Sequence, residues 1–338
     1  QFIPNGFEVV PNGMYGNTSG CHFLASKAIS HLDLISRMPG ATWKGCVEAR
    51  PSTYTLEAGG YGAGLPDYDV TDDPPVAGSP QSLFVPYFWP DESDYYYGTT
   101  YNAPGPFPAS GLGYHNNYLS DGAPPSTWSY NEGTAASPYE DDNLHFHTLF
   151  KYNGVSIPYI RESGNADTYG PNASCPDAML RLTTNAASVD AKINSLSYWT
   201  GGGTVISEGV MWAWRSLSPN APFADGKPYS AANRKAIVLM TDGVNGLAEN
   251  VASNLWNTVS DYSAYGYIAS GRQGPLMPKW EALQTFDQMT AHLDDRTRAA
   301  CKNAKAKGIE IYTVFFNRGS MTAAQQASSR KLLSDCAT

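Results

Sequence analysis

The sequence predicts an α/β fold in which a parallel sheet is flanked by helices and interrupted by a long irregular insertion rich in Tyr, Pro and Gly. Three observations carry this expectation. Residues 235–241 (KAIVLMT) hold five consecutive apolar positions between a basic pair and a turn, the pattern of a strand buried on both faces of a parallel sheet. From about Ala178 onward, segments of helical and strand-like character alternate: helix, strand, helix, strand, helix. Ahead of them, residues 52–175 lose regular periodicity and gain Pro, Gly and Tyr.

Taken in order, residues 1–51 open with a short strand-like piece broken by Pro4 and Asn5, then show Leu24, Ala28, Ile29 and Leu32 at helical spacing. The insertion follows, with twelve of the 22 Tyr between Tyr54 and Tyr139 and stretches such as LFVPYFWPDESDYYYG that read as short strands between turns. Tyr at this density suits either a binding face or an insertion packed by its own aromatics. Met179 to Leu182 reads as a short strand, and Val189, Ile193 and Leu196 mark an amphipathic helix. TGGGT (200–204) breaks that helix before a strongly apolar helical run from Ile206 to Trp214. After the 235–241 strand comes a second insertion, 244–285. Phe286 to Lys307 reads as a helix capped by Gly308, Ile309 to Phe316 as a strand, and Ala323 to Leu333 as a closing helix.

Composition bounds the function. A chain of 338 residues with 32 Gly, 24 Pro and only 16% charged residues is folded and loop-rich, and suits an extracytoplasmic setting. A net charge of −9 with no offsetting basic patch argues against nucleic acid as partner. The five cysteines show neither CxxC nor zinc-finger spacing, so disulfides are expected. Their positions favour Cys46 with Cys175, flanking the insertion, and Cys301 with Cys336, tying the last two helices, which leaves Cys21 free or paired outside the chain. No run of 18 apolar residues occurs, and the chain opens at Gln1. It therefore reads as a processed or excised piece, with any membrane anchor outside it. Sequons stand at Asn17 and Asn172.

Asp242 falls at the carboxyl end of the 235–241 strand, where open α/β sheets place their ligand crevice, although Asp242 and Gly243 would equally make an ordinary turn. TGGGT, a helix, and a buried strand ending in TDG together resemble the second half of a von Willebrand factor A domain. That resemblance implies a divalent metal at the sheet top held by a DxSxS motif, a loop Thr and a loop Asp; Thr204 and Asp242 match the last two. WKGCVEARP, FVPYFWPDE, NNYL (116–119), GPNASC, GGTVISEGVMWAWRSLSPNAPF and KAIVLMTDGVN resemble the TadE/TadG-like pilus-assembly proteins, over most of residues 40–338. Residues 1–51 then correspond to an incomplete N-terminal part of the A-type domain, 52–175 to its insertion and 176–338 to its C-terminal half. No DxSxS occurs: Asp261-Tyr-Ser263 ends at Tyr265, and Asp33-Leu-Ile-Ser36 has another spacing on a helix. Thr204 and Asp242 alone would bind Mg²⁺ weakly.

The resemblance implies a non-enzymatic extracytoplasmic component of a Tad (Flp) pilus system, a binding or assembly module whose partners are other pilus or cell-envelope proteins. A structural filament subunit or adhesin on the same fold is the alternative. A metal-dependent hydrolase built on His145, His147 and the acids Glu140, Asp141 and Asp142 comes last, since such a cluster is also an ordinary solvated turn. Asp91 and Glu92 read as a turn or cap before an acid pair, and TGGGT lacks the Lys of a phosphate loop. In the A-type fold a DxSxS strand lies beside the TDG strand, and residues 1–234 offer no second long apolar run. A partner strand is therefore expected from upstream sequence, from a second chain by β-augmentation, or from the short pieces at Phe2-Ile3 and Glu8 to Val10.

Overall fold

The computed structural model describes residues 31–50, 52, 56–57, 60–61, 67–79, 82–91, 116, 118–119, 155–157, 170–197, 203–242, 244–246, 262–266, 286–317, 319 and 321–338. The elements in chain order are α1 (His31–Ser36), β1 (Leu56–Glu57), β2 (Gly60–Tyr61), a 3-10 turn (Tyr68–Val70), α2 (Ala186–Ser195), α3 (Ile206–Leu217), β3 (Lys235–Thr241), α4 (Phe286–Ala306), β4 (Ile309–Phe315) and α5 (Ala323–Cys336). The architecture is α/β, with β3 and β4 forming a parallel pair in register from Lys235↔Ile309 to Thr241↔Phe315. β1 and β2 form a separate short antiparallel pair.

The main core lies on one face of the parallel pair. Ile237, Leu239, Ile309 and Ile311 point into it and meet Val210, Met211 and Trp214 of α3, Ala300 and Ala304 of α4, and Leu332 and Leu333 of α5. On α3 the apolar residues recur at 206, 210, 211 and 214, the stripe a helix needs to bury one face. α4 ends at Gly308, whose φ of +80° is the left-handed cap conformation that non-glycine residues resist. α5 begins with a capping box in which the Thr322 side chain accepts from the Gln325 N–H while the Gln325 side chain accepts from the Thr322 N–H.

The five helix and strand segments expected from 206 to the C-terminus all form, and three other readings need correction. The 235–241 strand is buried on one face, not two: Val238 and Met240 are each 70% exposed, and their neighbours Tyr312 and Val314 on β4 are exposed as well. An apolar run shows that a strand suits a dry setting on both sides, but it does not supply the covering layer, and among the described residues none covers this face. Met179 to Leu182 is extended coil with no strand partner among the described residues, held by Arg181, which reaches Asp225 and the Phe223 carbonyl. α2 forms where expected, capped by the Asn185 side chain, yet Val189, Ile193 and the following Leu196 are exposed, so its apolar stripe has no core beneath it. In the insertion, Phe84 to Asp91 contributes an isolated bridge, Val47↔Pro86, and otherwise runs as irregular chain through buried surroundings. The described part of the first helix, α1, carries Asp33 and Ser36 as read.

Both disulfides form as the cysteine positions favoured, Cys46–Cys175 across 129 residues and Cys301–Cys336 across 35. Cys21 and Asn17 lie outside the described residues. Asn172 is buried, with its amide donating to the Thr42 carbonyl at 2.7 Å, so this sequon is used for structure. Among the described residues no helix is long and apolar enough to cross a membrane.

A second polar cross-link ties the insertion to α3. Buried Asp72 accepts from the hydroxyls of Ser218 and Tyr229, and the Trp214 indole N–H donates to the Tyr229 oxygen at 2.9 Å. Burial, followed by the Asp72 carboxylate, pushes the Tyr229 phenol up to about 12. Because the folded state favours the protonated phenol, its contribution is complete below the unfolded tyrosine value of about 10 and is lost as pH rises toward 12. Urea titrations of wild type and Tyr229→Phe should therefore show a stability gap that shrinks between about pH 9 and about pH 12. Replacing Cys301 and Cys336 together by Ala should lower the unfolding free energy by about 2–4 kcal/mol in the same assay, since the bridge closes a long loop in the unfolded chain. Non-reducing peptide maps should return the Cys46–Cys175 and Cys301–Cys336 peptides.

Candidate functional site at the sheet top and beside helix α3

The carboxyl end of β3 is organised by one buried amide. The residue preceding α3, Val205, has no side chain able to cap it, and the Ile206 N–H is met instead by the Asn245 Oδ1 at 2.8 Å. Asn245 is fully buried, and its Nδ2 donates to Asp294 Oδ1 (2.9 Å) and Thr297 Oγ1 (3.0 Å) on α4. One side chain thus joins the loop after β3 to the start of α3 and to the middle of α4. Beside it, Thr204 and Gly246 exchange two backbone hydrogen bonds, of 2.6 and 3.0 Å. This bridge brings the Thr204 loop to the loop that follows Asp242, at the carboxyl end of β3.

Thr204 is exposed there, and Asp242 is half-buried. One hydroxyl and one carboxylate cover too little of the octahedral oxygen shell that Mg²⁺ demands. Among the described residues, no group of three or more His, Cys, Asp or Glu is placed to hold a metal ion. These two residues alone do not complete a Mg²⁺ site, and no chemistry is routed through one. His145, His147, Glu140, Asp141, Asp142 and Glu92 lie outside the described residues. Asp91 serves the backbone. It is buried, and its Oδ1 accepts from the backbone N–H groups of Tyr118 and Leu119.

A larger concavity opens on the other side of α3. A groove of about 920 Å³ runs between the Cys46–Cys175 bridge, residues 176–181, the loop at Pro222 and Phe223, and the exposed side of α3. Its walls are chiefly apolar and aromatic, with Phe84, Tyr87, Trp212 and Phe223 prominent. Arg181 straps one rim to the other through its ion pair with Asp225, and its guanidinium lies 5.5 Å from the Phe223 ring centre. At the wall stands Glu208, 8% exposed, with both carboxylate oxygens turned away from solvent. Arg215, two helical turns on, pairs with Glu208 at 3.6 Å, and its guanidinium lies over the faces of Trp212 (4.8 Å) and Phe84 (5.2 Å). Phe84 carries a second guanidinium, Arg50, at 5.0 Å. Burial, and then Arg215, brings Arg50 down to about 10. Burial also pushes the Glu208 carboxyl up, against the pull of Arg215.

Sequence reading took Ile206 to Trp214 as apolar helix and passed over Glu208 and Arg215. The signal was present: residues 208, 212 and 215 follow i, i+4, i+7 spacing, which puts two opposite charges and a tryptophan on one helical stripe beside the apolar one.

No protein-family profile, no curated protein and no solved structure matches this chain.

Asn245→Ala should destabilise the protein by about 3 kcal/mol in denaturant titration, because it strips a helix cap and removes two buried hydrogen bonds to α4. Asn245→Asp keeps the acceptor for Ile206 but sets a carboxylate against Asp294, and should cost at least as much. Titration with millimolar Mg²⁺ should move the melting transition by less than about 1 °C, since a ligand stabilises only in proportion to its occupancy of the native state.

Proposed function

We propose that this chain is a non-enzymatic, extracytoplasmic binding or assembly module of the Tad (Flp) pilus type, built on a von Willebrand factor A-like domain. The observation that supports this reading best is the bare face of the parallel pair. Val238, Met240, Tyr312, Val314 and Phe316 present a contiguous apolar surface, with exposures of 45–70%. β4 is the only strand paired with β3 among the described residues. A one-sided sheet with an open hydrophobic edge is a surface that associates, either with a further strand and its covering helices or with another subunit. The two disulfides fit an oxidising compartment, where a pilus or envelope component works. The resemblance of WAWRSLSP and LMTDG to the pilus-assembly proteins supplies the system.

Partners on this reading are pilus or envelope proteins, or a segment that adds a strand beside β3. Val238→Lys with Met240→Lys should leave the isolated chain folded, within about 0.5 kcal/mol of wild type, because both side chains already face solvent. The same pair should abolish co-purification with envelope proteins from the source cells. An assembly module stays with the membrane fraction after shearing. Recovery of the chain in sheared fibres would instead support the filament-subunit or adhesin reading, and unchanged co-purification of the double variant would remove the sheet face from either.

A further inference from the structure

Two apolar surfaces of this chain have no covering among the described residues, and they are of complementary kinds. One is the outer face of the parallel pair, where Val238, Met240, Tyr312 and Val314 are exposed. The other is helix α2, on which Val189, Ile193 and the following Leu196 recur at i, i+4 and i+7 and are exposed as well.

α2 itself calls for a partner. It has ten residues, none of them buried, and isolated helices of that length are marginal in water even when built from good helix formers. The Asn185 side chain caps one backbone N–H, that of Ser188. The rest of the support for so short a helix comes from packing its apolar stripe, and the face of a sheet is a surface on which such a stripe packs.

The chain on either side of α2 allows its own sheet to be that surface. Thr204 is fixed at the carboxyl end of β3 by its bridge to Gly246, and residues 196–203 reach about 28 Å from it at full extension. Packed layers lie about 10 Å apart, so this length carries α2 from the sheet top onto the bare face. On the other side, residues 176–185 reach about 35 Å from Cys175, which the bridge to Cys46 holds. Arg181 ties that segment down through the Asp225 ion pair and the Phe223 carbonyl, contacts at the surface that resist release weakly. A helix of ten residues is about 15 Å long and a strand of seven about 23 Å, so α2 fits along β3. Tethering also selects the occupant: a segment on short linkers meets its site at an effective concentration on the order of millimolar, which favours this chain's own helix over that of a second copy.

We propose that α2 closes as a strap over the bare face of its own sheet. The tether from the sheet top brings the last turn of α2 to the carboxyl end of β3, which sets Ile193 against Met240 and Val189, one turn back, against Val238. The structure holds the strap open, and closure withdraws the surface that a partner would use. The strap goes beyond the pilus reading and stands without it.

The test is cross-linking in the full chain, with Cys21→Ser removing the fifth cysteine. Under mild oxidation, Ile193→Cys with Met240→Cys should form a bridge within one chain at least tenfold faster than Ala191→Cys with Met240→Cys, because Ala191 lies on the opposite side of α2. Val189→Cys with Val238→Cys should bridge as fast as the first pair. The substituted positions are exposed, so each variant should melt within about 2 °C of its parent. Peptide mapping and gel filtration without reductant tell bridges within a chain from bridges between chains. Equal rates for the Ile193 and Ala191 pairs, or no bridge in either stripe pair, would overturn the proposal. Bridges between chains would overturn the strap and assign the sheet face to a second copy. The readout needs no envelope protein, so its failure leaves the co-purification test of the sheet face standing on its own.

Discussion

The buried ion pair between Asp69 and Arg296 is the constraint on which the arrangement of this chain depends. Arg296 Nε and Nη2 donate to the two Asp69 oxygens at 2.7 and 2.5 Å, and the Tyr265 hydroxyl adds a third bond at 3.0 Å. Asp69 is completely buried, and burial raises its carboxyl pKa while the guanidinium hydrogen bonds work in the opposite direction. A carboxylate in that position is tolerable only because a bidentate fork meets both oxygens. The partners are 227 residues apart in sequence. Their pairing fixes the 3-10 turn of the first insertion, part of the second insertion and helix α4 to one another, and the Asn303 side chain reinforces it by donating to the Val70 carbonyl. Without that fixed point, Arg50 and Phe84 would have no defined position against α3, and the groove would have no inner wall.

Elsewhere the insertion solves the same problem with neutral groups. Among its described residues, the stretch 82–91 is buried with a single isolated bridge, so its N–H and C=O groups need other partners. Asn116 meets Gly170 through both its amide ends, at 3.0 and 2.6 Å. Asp91 takes two backbone N–H groups, and Arg50 donates to the carbonyls of Asp73, Thr71 and Ser82. Tyr87 and Tyr118 bury their rings and spend their hydroxyls on backbone carbonyls. For these residues the aromatic richness of the insertion serves packing.

How much of this was legible depended on whether the signal was local. α3, β3, α4, β4 and α5 were readable because each buries a stripe or run whose period appears within its own residues. The disulfides were readable because each bridges ends that its position already flanked. What sequence could not show was which layer covers what: the same run AIVLM serves a strand buried once or twice, and Val189, Ile193 and Leu196 make the same helical pattern over a core or over solvent. Asn245 was invisible for another reason. Its value lies in three partners 39 to 52 residues away, and an isolated Asn after TDGV resembles any turn residue. Glu208 and Arg215 had a local signal in their helical spacing, but the apolar residues around them dominated the reading.

Helix α3 separates the bare sheet face from the groove. Its residues 206, 210, 211 and 214 seal the covered face of the sheet, while 208, 209 and 212 line the groove and 215 turns toward Phe84 of the insertion. Val238 and Met240 point away from α3 because alternate strand residues face opposite sides, so the bare sheet surface and the groove lie on opposite sides of one helix-and-strand layer. A ligand in one cannot touch a partner on the other. Any coupling through the layer itself would have to pass through the packed contact of α3 with β3, where Val210, Met211 and Trp214 meet Ile237 and Leu239, and close packing there resists independent movement of either element. The polar ties at both ends of α3 make that contact stiffer still: Asn245 holds the first turn to the loop after β3, and Lys235 at the start of β3 donates to the Leu217 carbonyl in the last turn. Helix and strand are therefore pinned at both ends, and the two faces of the layer keep a fixed relation.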